Sequence, residues 1–282
     1  MTETELIRYL TRNIPRRFRN LKTGIGDDCS VIRLGKKDIL ISLDSLIEGV
    51  HFKRSWGDWK MWGAKAAAVA LSDIAAMGGT PQFAWVDLTL PKKFKPADAK
   101  KFYFGFNSLL KKYKVILAGG NVASNAKNFA ASVTVMGEVP AGQAMLRSNA
   151  KPGDKVYLSG PLGGDFLRPK PHIKIGEKLR KMGCRCCIDV SDGLLKDLNH
   201  VALASKVKIR LFAEKISHQG PLKKALTRGE DYVLAFITGC QAPGEGFCKA
   251  IGVVSKGKVG VEVLDKKGKL LSFSKLGFDH TI

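Results

Sequence analysis

Aspartates in glycine-bearing or strand-end contexts are the residues of this sequence best suited to do chemistry. Only 25 of its 282 residues are acidic. Several of them recur in short segments: Asp27 and Asp28 (GIGDDCSV), Asp44 (LISLDSLIEGVHF), Asp73 (LSDIAAMGG), and Asp189 and Asp192 (IDVSDGL). Mg2+ takes hard oxygen ligands in near-octahedral geometry, uses one or two carboxylates per ion and leaves other positions to water and phosphate oxygens. Carboxylates delivered from several strand ends therefore suit several ions and a phosphate-bearing substrate. Each aspartate also has a purely structural reading: Asp73 as a helix-surface charge, Asp27 as a turn former ahead of Asp28, Asp192 as a carboxylate favouring a helix dipole. Singly, the structural reading is preferred for each. Together, in a chain with no Cys/His metal set and no nucleophile-elbow motif, they favour metal-assisted phosphoryl transfer over acyl transfer.

The remaining motifs are weaker. There is no GxxxxGK[ST] phosphate cradle. The pairs Gly119-Gly120 and Gly163-Gly164 follow apolar strands, where flexible backbone can turn N–H groups toward an anion. Cys184, Cys186 and Cys187 form the one cysteine cluster, and Cys186 and Cys187 run into the apolar segment CCIDV, which favours small buried residues over a metal site. The six cysteines do not look like a disulfide framework. The net charge of +22 is spread along the whole chain and is not interleaved with aromatics in an RNA-binding motif. A solvated basic surface is therefore preferred to nucleic-acid binding. No apolar stretch approaches the roughly 18 to 20 residues of a membrane span, and the polar N-terminus lacks a signal-peptide pattern. The expectation is a soluble, cytosolic protein.

The elements that must position these residues read as alternating helices and strands. A helix is expected over 3–19, followed by strands at 39–43, 83–90, 115–118 and 129–136. The longest helix, 59–77, is alanine-rich and is stopped by Gly78, Gly79 and Pro81, with Lys65, Ser72 and Asp73 as its polar exceptions. The turn-rich segment RSNAKPGD marks a boundary, giving domains of 1–143 and 144–282. Beyond it come a strand (KVYLSG), a helix over 172–182, a strand over 187–190, a helix over 191–204, a strand over 208–216, a short helix near Leu222 and a strand over 232–237. The stretch VVSKGKVGVEVLDKKGKLLSF suggests antiparallel hairpins. The fold class is α/β in two domains.

Read in order, GIGDDCSVI, ISLDSLIEGVHF, LSDIAAMGGTP, LRSNAKPGDKVYLSG, IDVSDGL, GEDYVL and GFDH resemble the thiamine-monophosphate kinase family over nearly the whole chain. The wider superfamily includes aminoimidazole ribonucleotide synthetase, selenophosphate synthetase and a hydrogenase-maturation dehydratase. The resemblance implies an N-terminal α/β domain that pairs in a homodimer, a C-terminal α/β domain, and ATP in the cleft between them. It implies magnesium ligands at Asp28, Ser42, Asp44, Asp73, Asn121, Asp189 and Asp192. Gly120, Asn121, Arg147 and Ser191 fall at nucleotide positions, and His51, Glu230 and Phe278 where thiamine monophosphate is held. Asp44, Asp73 and Arg147 are the expected catalytic set. The implied reaction is direct in-line transfer of a phosphoryl group from ATP to the phosphate of thiamine monophosphate, with several Mg2+ ions and no covalent phospho-enzyme.

The sequence departs from the family at three places. Asn121 stands where an aspartate is usual, Leu43 where a hydroxyl residue commonly precedes Asp44, and the segment after Gly164 is shorter than usual. Two alternatives stay open: another ATP-dependent member of the superfamily, or a catalytically weakened protein that binds nucleotide or thiamine phosphates.

Overall fold

A computed structural model of the chain describes residues 3–15, 18–125, 127–239 and 249–279. Two six-stranded sheets organise it. The first uses β1 (Leu21–Thr23), β2 (Ser30–Leu34), β3 (Lys37–Ile47), β4 (Thr80–Pro91), β5 (Ile116–Asn125) and β6 (Ala130–Pro140), in the order β1-β2-β3-β6-β4-β5. The second uses β7 (Lys155–Leu158), β8 (Cys186–Asp189), β9 (Lys208–Phe212), β10 (Leu234–Thr238), β11 (Gly252–Ser255) and β12 (Gly260–Leu264), in the order β12-β9-β11-β7-β10-β8. The helices are α1 (Glu3–Leu10), α2 (Trp59–Ala76), α3 (Pro96–Lys112), α4 (Ile173–Lys181), α5 (Leu194–Ser205) and α6 (Leu222–Thr227). None of the helices in the described residues is long and apolar enough to cross a membrane.

Helix α2 sits at the centre and is buried on nearly every side, so its alanines are packing residues. Asp58 caps its first turn by accepting from the Met61 N–H at 2.8 Å. Gly63 of α2 and Gly105 of α3 let the two backbones touch: a Cβ on Gly105 would lie 1.8 Å from the Lys60 carbonyl oxygen, and one on Gly63 2.0 Å from that of Phe102. Gly176 of α4 packs in the same way on Ala75. One core surrounds α2 and includes Leu40, Val86 and Val133 from the first sheet with Tyr157, Cys187 and Phe236 from the second. A second core lies between the other face of the second sheet and helices α5 and α6. The two sheets thus share α2 as a common layer, and side chains on it reach residues from both halves.

Several sequence expectations are corrected. The first helix ends at Leu10, short of the expected 19. The strand expected at 115–118 runs on to Asn125, and Lys208–Phe212 gives way to a short 3-10 turn before 216. Helix α5 begins at Leu194, because Asp192 and Gly193 (φ +125°) form a loop that the Asp197 carboxylate caps from within the first turn. Strands β11 and β12 do not pair with each other: β11 runs antiparallel to β9, whereas β12 lies parallel to β9. Hydrophobic alternation fixes which face a strand buries and carries no information on direction. Cys29, Cys184, Cys186 and Cys187 are buried thiols, as small packing residues would be. Cys240 and Cys248 lie outside the described residues.

Candidate active site

A cavity of about 450 Å3 opens between the two sheets at the side of α2. The strand-end aspartates gather on its wall. Asp28 precedes β2, Asp44 lies on β3, Asp73 near the end of α2, Asp189 at the end of β8 and Asp192 in the loop before α5. Oxygens of Asp28, Asp73 and Asp189 all lie within 4.8 Å of one another. Two hydroxyls hold this trio in place: Ser42 donates to Asp73 Oδ2, and Ser72 donates to Asp189 Oδ2 at 2.5 Å. The second of these bonds ties α2 to the second sheet.

Such crowding is unfavourable for ionised carboxylates. Burial, and next to it the charge of Asp28, pushes Asp27 up to about 7. Burial together with Asp28 and Asp44 raises Asp189 to about 7. Burial with Asp192 and Glu230 brings Asp44 to about 6. Asp73 is driven well above its ordinary value by burial and by Asp189, Asp44 and Asp28. Asp28 Oδ2 is buried with no hydrogen-bond partner, as is Arg147 Nε. A hard divalent cation fits this donor set: all ligands are carboxylate or hydroxyl oxygens, they converge, and one oxygen lacks a protein partner.

Arg147 supplies the fixed positive charge. Its Nη2 donates to Asp28 Oδ1 at 2.6 Å, and its backbone N–H donates to the Asp27 carboxylate at 3.1 Å. Burial opposes its charge, but Asp28 and Asp27 more than offset this and raise its pKa above the ordinary arginine value. The same cavity is also lined by His51, Glu230 and Phe278. His51 Nδ1 accepts from the Ile47 N–H at 3.0 Å, which assigns the ring proton to Nε2 in the neutral form. Phe278 is fixed through its backbone: its N–H donates to the Asp192 carbonyl oxygen at 2.8 Å, and Lys196 Nζ donates to its own carbonyl oxygen at 2.6 Å while pairing with Asp192 Oδ2 at 2.8 Å. Ser191 completes the wall beside Asp192.

The cavity therefore brings together Asp28, Ser42, Asp44, Asp73, Arg147, Asp189, Ser191, Asp192, His51, Glu230 and Phe278, with Leu43 at its exposed rim. It does not include Gly120 and Asn121. Both lie on β5, the exposed edge strand, where Asn121 Nδ2 donates to Asp87 Oδ1 at 3.0 Å. The register runs Ser45, Ser132, Asp87, Asn121 across β3, β6, β4 and β5, so Asn121 sits three strand spacings, roughly 14 Å, from the cavity rim. Within one chain Asn121 is therefore not beside Asp44, and the metal and nucleotide roles expected for Gly120 and Asn121 are not assembled in this cavity by one chain alone. Sequence reasoning named Asp27 but left it out of the implied ligand set, and it did not single out Arg228 and Tyr232, which flank Glu230 on the wall. The adjacent GEDY motif was the available signal for the last two.

These carboxylates make the cation-free protein sensitive to alkali. Their folded-state pKa values lie above the ordinary 3.8, so the folded state retains protons that the unfolded chain has lost, and stability falls as pH rises from about 4 through about 7. In EDTA, the urea midpoint is expected to drop between about pH 5 and about pH 8, with a shallower drop in Asp44→Asn, which removes one of the raised groups. Equal slopes in the two proteins would contradict this electrostatic account.

Comparison with known proteins gives the chain's relatives. Residues 26–139 match the family described as AIR synthase related protein, N-terminal domain. The thiamine-monophosphate kinase of Bacillus subtilis (strain 168) is 35% identical, over 83% of this chain and 82% of that protein. That of Buchnera aphidicola subsp. Schizaphis graminum is 30% identical, over 99% of both. The solved structure of AaThiL complexed with AMPPCP and TMP superposes with a TM-score of 0.88 at 30% identity, covering 99% of this chain and 97% of that one. The HypE-HypF complex, at 17% identity and a TM-score of 0.79, shares the fold alone. With its acid-lined cavity between two sheets and relatives that match it over most of their length, the chain belongs to the thiamine-monophosphate kinase family.

Proposed function

We propose that the protein transfers the γ-phosphoryl group of ATP to the phosphate of thiamine monophosphate, giving ADP and thiamine diphosphate. The observation that carries this reading is that Asp28, Asp44, Asp73 and Asp189 line one cavity together with Arg147, His51, Glu230 and Phe278, three of the carboxylates within 4.8 Å of one another. The relatives' shared activity name and the binding of AMPPCP and TMP by AaThiL support it.

The acceptor is itself an anion, so the chain's task is alignment and charge neutralisation. The bond that forms joins an oxygen of the acceptor phosphate to the γ-phosphorus, and the bond that breaks joins that phosphorus to the β,γ-bridging oxygen of ATP. Asp28, Ser42, Asp44, Asp73, Asp189 and Asp192 would hold Mg2+, which supplies positive charge for the phosphate oxygens of both reactants. Arg147 adds a fixed guanidinium at the nucleotide, next to Ser191. His51 Nε2–H donates to the acceptor phosphate, and the Phe278 ring gives a flat heterocycle a stacking surface. No side chain need act as nucleophile, because the acceptor phosphate oxygen itself attacks.

We also read the protein as two domains, 1–143 and 144–282, and as a homodimer. The face of the first sheet turned away from α2 carries exposed Leu43 and Trp85, and the edge strand β5 carries exposed Ile116 and Val122. Gly120 and Asn121 reach a nucleotide only across such a pairing. A solution mass of twice 30.7 kDa is expected by sedimentation, and a strictly monomeric mass would remove this part of the reading.

Replacing Asp44 with Asn removes a ligand charge at nearly constant volume. Asp44→Asn is expected to lower the rate of thiamine diphosphate formation at least about 100-fold while leaving the circular dichroism spectrum unchanged. A variant with wild-type turnover would refute the assignment.

A further inference from the structure

Lys65 lies on α2 with its side chain fully buried, and its ammonium reaches across to the second half of the molecule. Nζ donates to Glu230 Oε1 at 2.6 Å and to the His51 carbonyl oxygen at 3.3 Å. Phe166 covers the pair: Lys65 Nζ lies 5.4 Å from its ring centroid, and the Arg228 guanidinium lies 4.7 Å from the same ring. A cation in such a place persists only with well-placed partners. Glu230 is equally constrained. It has φ +59°, with Gly229 at +76° and Tyr232 at +52°, and a Cβ on Gly229 would lie 2.5 Å from the Ser191 carbonyl oxygen. Left-handed backbone at non-glycine residues endures only where the surroundings over-determine it.

The position of Lys65 on its helix is informative. Val69 and Asp73 follow at i+4 and i+8, both on the cavity wall, so the face that carries Lys65 carries Asp73 about 12 Å further along. We propose that Lys65 is a positioning residue: it fixes the Glu230 carboxylate and the His51 loop on the cavity wall, so that α2, which also carries Asp73, sets how these acceptor contacts stand relative to the acid cluster. Lys65 engages Oε1 of Glu230 and leaves the other carboxylate oxygen for the ligand. This inference rests on the kinase reading above, with His51 and Glu230 as contacts to thiamine monophosphate.

The test is a kinetic double-mutant cycle on the full-length protein, following thiamine diphosphate and varying ATP and thiamine monophosphate separately. Lys65→Met is expected to raise the KM for thiamine monophosphate about tenfold or more while the KM for ATP stays within about twofold. Glu230→Gln should show the same split, and the double variant should be little worse than either single one, because both remove one interaction. Lys65→Arg, which keeps the charge on a different stem, should show the split in milder form, and it decides the matter if Lys65→Met does not fold. Equal rises in both KM values, no change in either, or additive effects in an active enzyme would overturn the role of Lys65 alone. A wild-type protein that makes no thiamine diphosphate would remove the kinase reading and this inference together.

Discussion

Several carboxylates cannot all be ionised within a few ångströms of one another in a half-dry cleft unless positive charge joins them. Much of this structure follows from that constraint. Asp28, Asp73 and Asp189 come from different elements and meet within 4.8 Å. The protein supplies Arg147 against Asp28 and hydroxyls against Asp73 and Asp189, which neutralises only part of the cluster. What remains is a cluster that positive charge from outside the chain would relieve. On the proposed reading, a reaction that brings two phosphates together has the same need, and one set of cations would relieve both repulsions.

The architecture serves this by making one helix the reference for the whole cavity. Helix α2 touches both sheets, and its tight crossings through Gly63, Gly105 and Gly176 leave it little room to shift. Ser72, Asp73 and Lys65 hang from that helix and are bonded to Asp189, Ser42 and Glu230 respectively. Two of these ties reach the second half of the chain, so the halves are registered by buried polar contacts as well as by the apolar core. The loop before α5 is fixed in a comparable way, with Asp197 holding the backbone of Asp192 and Gly193, and Lys196 clasping Asp192 to the carbonyl of Phe278.

The sequence made the acid cluster legible because the aspartates recur in short segments with glycine or serine nearby, although Asp44 lies within β3 and not at its end. The long buried helix was legible from its alanines and the Gly78-Gly79 stop. Asp27 was named but left out of the implied ligand set, because a doublet before a strand has an equally good local explanation as a turn. Gly120 and Asn121 stand outside the cavity of one chain: motif order along the chain says nothing about how far an edge strand lies from the site, and β5 lies three strands from the rim of the cavity. The direction of β12 was invisible to alternation. Lys65 stood out as a polar residue in an apolar helix, but its partners, distant in sequence, emerge only in the folded chain.

The central claim is that this cluster, once loaded with divalent cations, lets one phosphate be transferred to another. Phosphorus NMR of the purified protein with ATP, Mg2+ and thiamine monophosphate tests it most directly. The account predicts that the γ-phosphate signal of ATP is replaced by equal amounts of ADP and thiamine diphosphate, and that EDTA abolishes the exchange. Unchanged ATP in the presence of Mg2+, or release of inorganic phosphate with thiamine monophosphate left intact, would contradict it.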